Sequence, residues 1–497
     1  MKYRFGYNAA PSTRHKDVIY DTEILNNGHL LLCGMSGSGK TWLLNQMLNS
    51  FAATEHNPDF RIHVFDVHGD IRVNPRFESS LIFSEQTDYG LNPFKIDPDP
   101  HTGGVRKKTQ SVLNIINRVS RDLGERQEGV FRNLAYETYR IHGIDQNDPS
   151  TWVVSDDAIL MEGRERERLY LNVPIGEKDE AKALGARWDS SVRCWFIDEH
   201  NYQGGITRWP PKMTERRNPS LSDMIQVAKH VAERSFLGIN SEAMARLLDL
   251  HRAANTLQRR KKETYRILQG TGQDSFASER EKLEKARENA IAAFTEYANA
   301  EMTGFELEDL MKYDNYATLS SILNRLENLN AIGIFKTKKP PFNPEKTVWH
   351  YDLTPLDEEE ATLFTLFRLE ELMYECMKKG PCDHIRCVVV LDEAKRYVGS
   401  GKGANPLDKI ANEMRKFGMV MLLSSQAPHH FTQDTLGSVG TKVILRIDES
   451  YWGDTIKKTQ LTKEELAWVR PKEGFLVQMK EKGTDSTWQR VKFGHVR

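Results

Sequence analysis

Short apolar runs, each ending abruptly in polar residues, mark both ends of this chain: Leu30–Cys33, Ile62–Phe65, Cys387–Leu391, Met419–Leu423 and Val443–Ile447. Cys387–Leu391 in particular is β-branched and apolar on both faces, the pattern of a strand buried in a parallel sheet. Val348-Trp349-His350-Tyr351-Asp352-Leu353 reads as another strand, and Glu358 to Lys378 as a long helix lying on the sheet. Between these blocks the period changes from two to 3.6. A helical stretch runs from about Val105 to Ile144 and ends in the turn-rich Asp145-Gln146-Asn147-Asp148-Pro149. From Ser220 to Ala300, Met244, Leu247, Leu248, His251 and Ala254 recur at helical spacing. Gly270-Thr271-Gly272 breaks that region into two arms, which predicts an antiparallel helical hairpin with His251 as a packing residue. A further amphipathic helix carries Leu319, Ile322, Leu323, Leu326 and Leu329 as core positions.

Leu169 to Asn201 has a rhythm of its own: strand YLNVP, helix EKDEAKALGA, then RWD, then strand RCWFI. The expected organisation is an α/β core, mainly a parallel sheet with helices on both faces, split into residues 1–118 and 313–497. Between them lie a helical connection (119–167), a small α+β module (168–205) and the hairpin insertion (206–312).

The polar residues at the strand ends carry the chemistry. Gly34-Met35-Ser36-Gly37-Ser38-Gly39-Lys40-Thr41, followed by Trp42, stands between an apolar strand and a helix. In that context the glycines let backbone N–H groups curl around a β-phosphate. Lys40 reaches the β- and γ-phosphates of ATP, and the Thr41 hydroxyl ligates Mg²⁺. Asp392 and Glu393 close the strand Cys387–Leu391, which suits Asp392 to the Mg²⁺ shell and Glu393 to orienting the attacking water. Gln426, past the end of Met419–Leu423, is placed to sense the γ-phosphate.

Order and spacing now carry a resemblance. GMSGSGKT, FDVHGD, VVVLDEAKRY, RKFGMVMLLSSQAP and GTKVILRID, in that order, resemble the FtsK–HerA superfamily of ring-forming ATP-driven pumps, most of all its HerA and conjugative type IV secretion branches. The resemblance implies a RecA-like P-loop core, and it implies that Arg415, with Lys416 beside it, reaches the nucleotide of the neighbouring subunit. Arg446 is the alternative trans cation. LNPF at Leu91–Phe94 and the helix at Leu319–Leu329 are also similar to the conjugative ATPases. HerA proteins usually carry an N-terminal β-barrel, where here only a short segment precedes Leu30. The segment YLNVP…EKDEAKALGARWD…WF resembles a small module appended to mobile-element proteins, including primases.

Composition narrows the picture further. Lys+Arg number 69 against 70 Asp+Glu, so contacts with nucleic acid must come from local patches such as a pore lining. Lys402, in the loop after the Asp-Glu strand, is the first pore candidate. Trp188, Trp195 and Phe196 with Arg187 and Arg193 offer a base-stacking platform with a cationic edge, the alternative being that both tryptophans form the module's core. Five cysteines make no disulfide framework, and Cys382-x-His384-x-x-Cys387 lacks a fourth ligand for structural zinc. No stretch reaches the roughly 18 apolar residues of a membrane span, which predicts a cytoplasmic protein. The expectation is a homo-oligomeric ring, a hexamer, that hydrolyses ATP and moves double-stranded DNA without sequence preference. A separate nuclease or effector partner, in an antiphage-defence or mobile-element setting, would complete it. A conjugation or secretion ATPase and a nucleotide-gated scaffold for an effector are the alternatives.

Overall fold

The computed structural model describes the chain apart from residues 11–15, 121, 155–167, 172, 191–192, 199–200, 202–203, 210–216, 238–240, 269–272, 301–305, 399–405, 485 and 494–497. Lys402 lies outside the described residues. Along the chain the strands are β1 (Lys2–Asn8), β2 (Asp17–Asp21), β3 (Leu30–Cys33), β4 (Arg61–Asp66), β5 (Glu78–Ile82), β6 (Arg168–Leu171), β7 (Arg187–Asp189), β8 (Cys194–Asp198), β9 (Val348–Asp352), β10 (Cys387–Leu391), β11 (Met419–Ser425), β12 (Thr441–Ile444), β13 (Gly474–Met479) and β14 (Trp488–Lys492). The helices are α1 (Lys40–Thr54), α2 (Val105–Val119), α3 (Glu125–Ile141), α4 (Lys178–Ala183), α5 (Leu221–Val231), α6 (Ser241–Leu268), α7 (Gln273–Ala300), α8 (Glu306–Tyr313), α9 (Tyr316–Ala331), α10 (Glu358–Lys378), α11 (Pro406–Glu413), α12 (Gln433–Ser438), α13 (Trp452–Thr459) and α14 (Lys463–Trp468).

Two compact units result. The first, Met1–Leu91, Asn114–Asp122 and Ile332–Arg497, holds an 11-stranded sheet in the order β2-β1-β14-β13-β12-β3-β11-β10-β4-β9-β5. From β12 through β3, β11, β10, β4 and β9 to β5 every pairing is parallel, and antiparallel strands extend it at the β12 side. This is a RecA-like P-loop ATPase fold. Strand alternation divides the core. Leu30, Leu32, Ile62, Val64, Val388, Val390, Val420 and Leu422 pack with Leu43, Met47, Leu48 and Phe51 of α1. The alternate positions form the other face, where Tyr351 stacks on Phe65 at 4.7 Å and Phe364 of α10 lies 4.4 Å from Phe83. α10 begins at a capping box, with Asp357 accepting the Glu360 N–H and the Glu360 carboxylate returning to the Asp357 N–H.

The segment before Leu30 supplies two strands of this same sheet. β12 ends at Ile444, shorter than the expected Val443–Ile447, although the Leu445 N–H still reaches the Cys33 carbonyl at 2.8 Å. Cys387 is buried inside β10, and the Cys382 thiol turns to the His384 carbonyl at 3.1 Å. Among the described residues no helix is long and apolar enough to cross a membrane.

The second unit, Asn92–Leu113 and Leu123–Ala331, contains the small module and the long hairpin. The helical stretch near Val105 to Ile144 is two helices, because Gly124 caps a fresh start at α3. α6 and α7, of 28 residues each, run antiparallel: Arg246 meets Glu296 at 3.1 Å and Arg260 meets Glu279 at 3.4 Å. His251 is exposed and contacts Asn255 rather than packing, and Ala254 is exposed too, so the apolar stripe lapses after Leu247.

The module is the three-stranded sheet β6-β8-β7 against α4. Its core is Leu171, Ala181, Ala186, Ile197, Ile206 and Trp209, with Trp195 partly buried beside it. Trp188 is no core residue: it is 51% exposed and meets Trp195 edge-on at 5.6 Å. Alternation also splits the expected platform. Trp188 and Trp195 are a cross-strand pair on one face, while Arg187 pairs with Phe196 on the other, tied to Asp198 at 3.0 Å. Arg193 sits in the β7–β8 turn with φ 56.

Candidate active site

The register of three neighbouring strands assembles the site. Cys33 pairs with Ser425 and Leu391 with Leu423, so Gly34, Asp392 and Gln426 all emerge at the same C-terminal sheet edge, where open parallel sheets bind ligands. Two backbone bonds tie the loop to flanking strand ends: the Gly34 N–H donates to the Ser425 carbonyl at 3.1 Å, and the Met35 N–H to the Arg446 carbonyl at 2.7 Å. A Cβ on Gly34 would lie 2.4 Å from Ser38 Oγ and 2.8 Å from Leu445 Cβ, so only glycine fits. Gly37 (φ 76) and Gly39 (φ 101) turn through the left-handed region into α1.

The loop is built for an anion. α1 has no side-chain cap and no acidic residue in its first turn, leaving its N-terminal N–H groups and dipole unanswered. Ser38 is buried with its Oγ unpaired. Lys40 Nζ donates to the Gly34 carbonyl at 2.6 Å and the Met35 carbonyl at 3.3 Å, which folds the ammonium over the loop. Burial and the Lys395 cation lower its pKa, opposed by Glu393 and Asp392. Met35, Ser36 and Gly37 form the exposed crest, Thr41 is half-buried, and Trp42 is 53% exposed with its ring 5.3 Å from Phe493.

The carboxylates differ in setting. Asp392 is buried, which raises its pKa; a Ser424 hydroxyl bond and the Glu393 N–H oppose this. Glu393 has φ 45 and ψ 48, a left-handed backbone for a non-glycine residue of the kind that collects at reactive sites. Its Oε2 is buried without a hydrogen-bond partner, and Lys395 Nζ stands 3.7 Å away. These features fit ATP and Mg²⁺: an uncapped helix start and a lysine for the phosphates, a hydroxyl (Thr41) and a carboxylate (Asp392) for the cation.

Asp66, at the end of β4, accepts the N–H groups of His68, Gly69 and Ile71 at 3.1, 2.7 and 3.0 Å, closing the loop that brings His68 within electrostatic reach of Asp392. Burial raises the Asp66 pKa, but His350 at 3.3 Å and those N–H groups outweigh it and hold it low. Sequence reasoning missed this support, and it missed Lys395 and His430. The signals were the buried-strand histidine of VWHYD and the His-His pair after SSQAP.

Gln426 is half-buried beside Gly34, whereas Arg415 is elsewhere. It lies in the 3-10 turn Met414–Phe417 that precedes β11, at the opposite sheet edge, exposed and without an ion pair among the described residues. Arg446, beside the loop, is occupied: it pairs with Glu449 at 3.1 Å and lies over the Trp452 ring at 5.8 Å.

Comparison with known proteins agrees with this geometry. The sequence profile of the Helicase HerA central domain matches residues 11–137, and that of the domain of unknown function DUF5710 matches residues 168–211. The DNA double-strand break repair helicase HerA of Pyrococcus furiosus is 33% identical over 112 residues, 22% of this chain and 20% of the helicase. A DNA primase TraC of Escherichia coli is 68% identical over 43 residues, 9% of this chain and 4% of the primase. The chain thus spans a fifth or less of the length of these curated relatives. The fold is like that of VirB4 of Thermoanaerobacter pseudethanolicus, with a TM-score of 0.55 at 12% identity over 99% of this chain and 96% of that one. Loop, carboxylate pair and strand order agree with these likenesses: residues 11–137 are similar to the central domain of the HerA helicases, and the fold is that of the RecA-like P-loop ATPases.

Proposed function

We propose that this protein is a ring-forming ATPase that moves DNA through a central pore. The observation that carries the reading is the division of the catalytic groups. Lys40, Asp392, Glu393 and Gln426 gather at one edge of the sheet, and an exposed arginine waits at the other.

Lys40 and the N–H groups at the start of α1 hold the triphosphate. Mg²⁺, held by Thr41 and Asp392, would offset charge on the phosphate oxygens. Glu393 orients a water whose oxygen bonds to the γ-phosphorus as the bond to the bridging oxygen breaks. The proton passes to Glu393, and ADP leaves. Gln426 reports the γ-phosphate. Arg415 of an adjacent copy supplies the missing positive charge, so hydrolysis depends on assembly. Transport through the pore would grip phosphates, with strong salt dependence and little sequence preference. A separate nuclease or effector acting with the ring belongs to the same proposal.

The test is ATPase activity of the purified chain with and without duplex DNA, combined with electron-microscopic imaging of closed rings and a strand-movement assay. DNA-stimulated hydrolysis with movement is the expected result. Hydrolysis indifferent to nucleic acid, with retention on membranes, would instead favour a secretion ATPase.

A further inference from the structure

Beyond Gln426 the chain turns through a short 3-10 segment, Pro428–His430. Ser425, the last residue of β11, is fully buried, and its hydroxyl lies 2.9 Å from His430 Nδ1. The same residue's carbonyl accepts the Gly34 N–H, so His430 is tethered to the point where the phosphate loop begins. Burial disfavours the charged imidazole, as do His429 and Lys395, while Glu393 favours it. Lys395 also acts on Lys40, and it is the cation beside the unpaired Glu393 Oε2. His430 is thus anchored at the end of β11, within electrostatic reach of Glu393 and Lys395. The His429 ring, 4.4 Å away, and the Tyr451 ring, 6.1 Å away, pack beside it.

We propose that His430 is a phosphate-reading residue, whose neutral imidazole accepts the Ser425 hydroxyl at Nδ1 and presents its Nε2–H to the γ-phosphoryl oxygens beside Glu393. A neutral donor fixed before the reaction stabilises charge as it develops on those oxygens, without the desolvation cost of a second buried cation next to Lys40. Gln426 and His430, four residues apart on one strand exit, would then bracket the same phosphate. Ser425 is a positioning residue: it sets the tautomer and the ring's direction.

The inference rests on the ATPase reading, and the experiment separates the two. Full-length wild type, His430→Ala, His430→Gln and Ser425→Ala are compared for kcat, KM, binding of a fluorescent ATP analogue and thermal midpoint. His430→Ala is expected to lower kcat about 100-fold with KM and nucleotide affinity nearly unchanged. His430→Gln, whose amide N–H replaces the Nε2 donor, should recover at least about a tenth of wild-type kcat, and Ser425→Ala should lose about 10-fold. Unchanged kcat in His430→Ala, or a rise in KM alone, overturns the proposal. Should His430→Ala fail to fold, the Gln and Ser425→Ala variants decide: wild-type rates in Ser425→Ala together with no activity in a folded His430→Gln would overturn it. A wild type that does not hydrolyse ATP refutes the ATPase reading instead.

Discussion

Lys40 and Arg415 stand at opposite ends of the same parallel strands. Lys40 opens α1 just past the C-terminal end of β3, and Arg415 lies in the turn before β11, within electrostatic reach of His29, the residue preceding β3. Six residue steps along β11 separate the two edges by about 20 Å, beyond an arginine's reach. On the proposed reading, each chain would carry half of two sites. Glu393→Gln and Arg415→Ala are each expected to be inactive alone, because one lacks the water-orienting carboxylate and the other the trans cation. Mixed, they should recover ATPase activity, since an Arg415→Ala site can take its arginine from a Glu393→Gln neighbour. Absence of recovery, with both variants still assembling, would place the arginine in its own subunit or outside catalysis.

The phosphate loop tolerates little. Gly34→Ala places a Cβ against Ser38 Oγ and Leu445, and should weaken nucleotide binding by at least about 10-fold while the fold survives. Lys40→Ala should lower turnover by about 100-fold or more through loss of charge on the β- and γ-phosphates. Titration with a fluorescent ATP analogue separates the two effects.

Glu393 holds its backbone at φ 45, a conformation costing about 1 kcal/mol or more in a residue with a Cβ. Glu393→Gly should therefore stabilise the protein by about 1 kcal/mol in urea unfolding while abolishing hydrolysis. Glu393→Gln should keep wild-type stability and ATP binding. Equal stability of all three would show that the strand end does not store strain.

His350 lies between Asp66 at 3.3 Å and Glu78 at 2.6 Å, inside the sheet. Burial works against its charge, but the two carboxylates outweigh burial and push its pKa up to about 9 from 6.5. The folded state then binds this proton more tightly than the unfolded state. Its contribution, at most about 3 kcal/mol, is full below pH 6.5 and disappears as pH rises through about 9. Urea unfolding of wild type should show that decline between pH 6.5 and 9.5, and His350→Gln should flatten it. A wild-type curve without the decline would mean that the imidazole is neutral.

Much of the central architecture was legible in the chain. β3, β10 and β11 are buried on both faces and read as apolar runs, and β4 and β9 each carry a single buried histidine among apolar residues, so the residues after these runs marked C-terminal strand tips. Those strand tips, read together with the glycine-rich motif ending in Lys40-Thr41, brought out Gly34 to Thr41, Asp392, Glu393 and Gln426. Edge strands gave no such signal: β5, ESSLI, is half-exposed, and β1–β2 and β13–β14 are local antiparallel pairs that join each other only through β1 and β14, from opposite ends of the sequence. The small module shows the same limit, since RWD and RCWFI both looked like core while Trp188 is left half in solvent by a sheet of three strands.

By itself the sequence determined which residues are chemically able to bind a triphosphate and polarise a water, because a glycine loop, a lysine and paired acids at strand ends are local properties. The tertiary structure alone decided which of them meet. Strand order and register are set by contacts between distant segments, and those contacts brought the ends of β3, β10 and β11 together, closed the buried Asp66–His350–Glu78 network, and carried Arg415 to the far edge of the sheet.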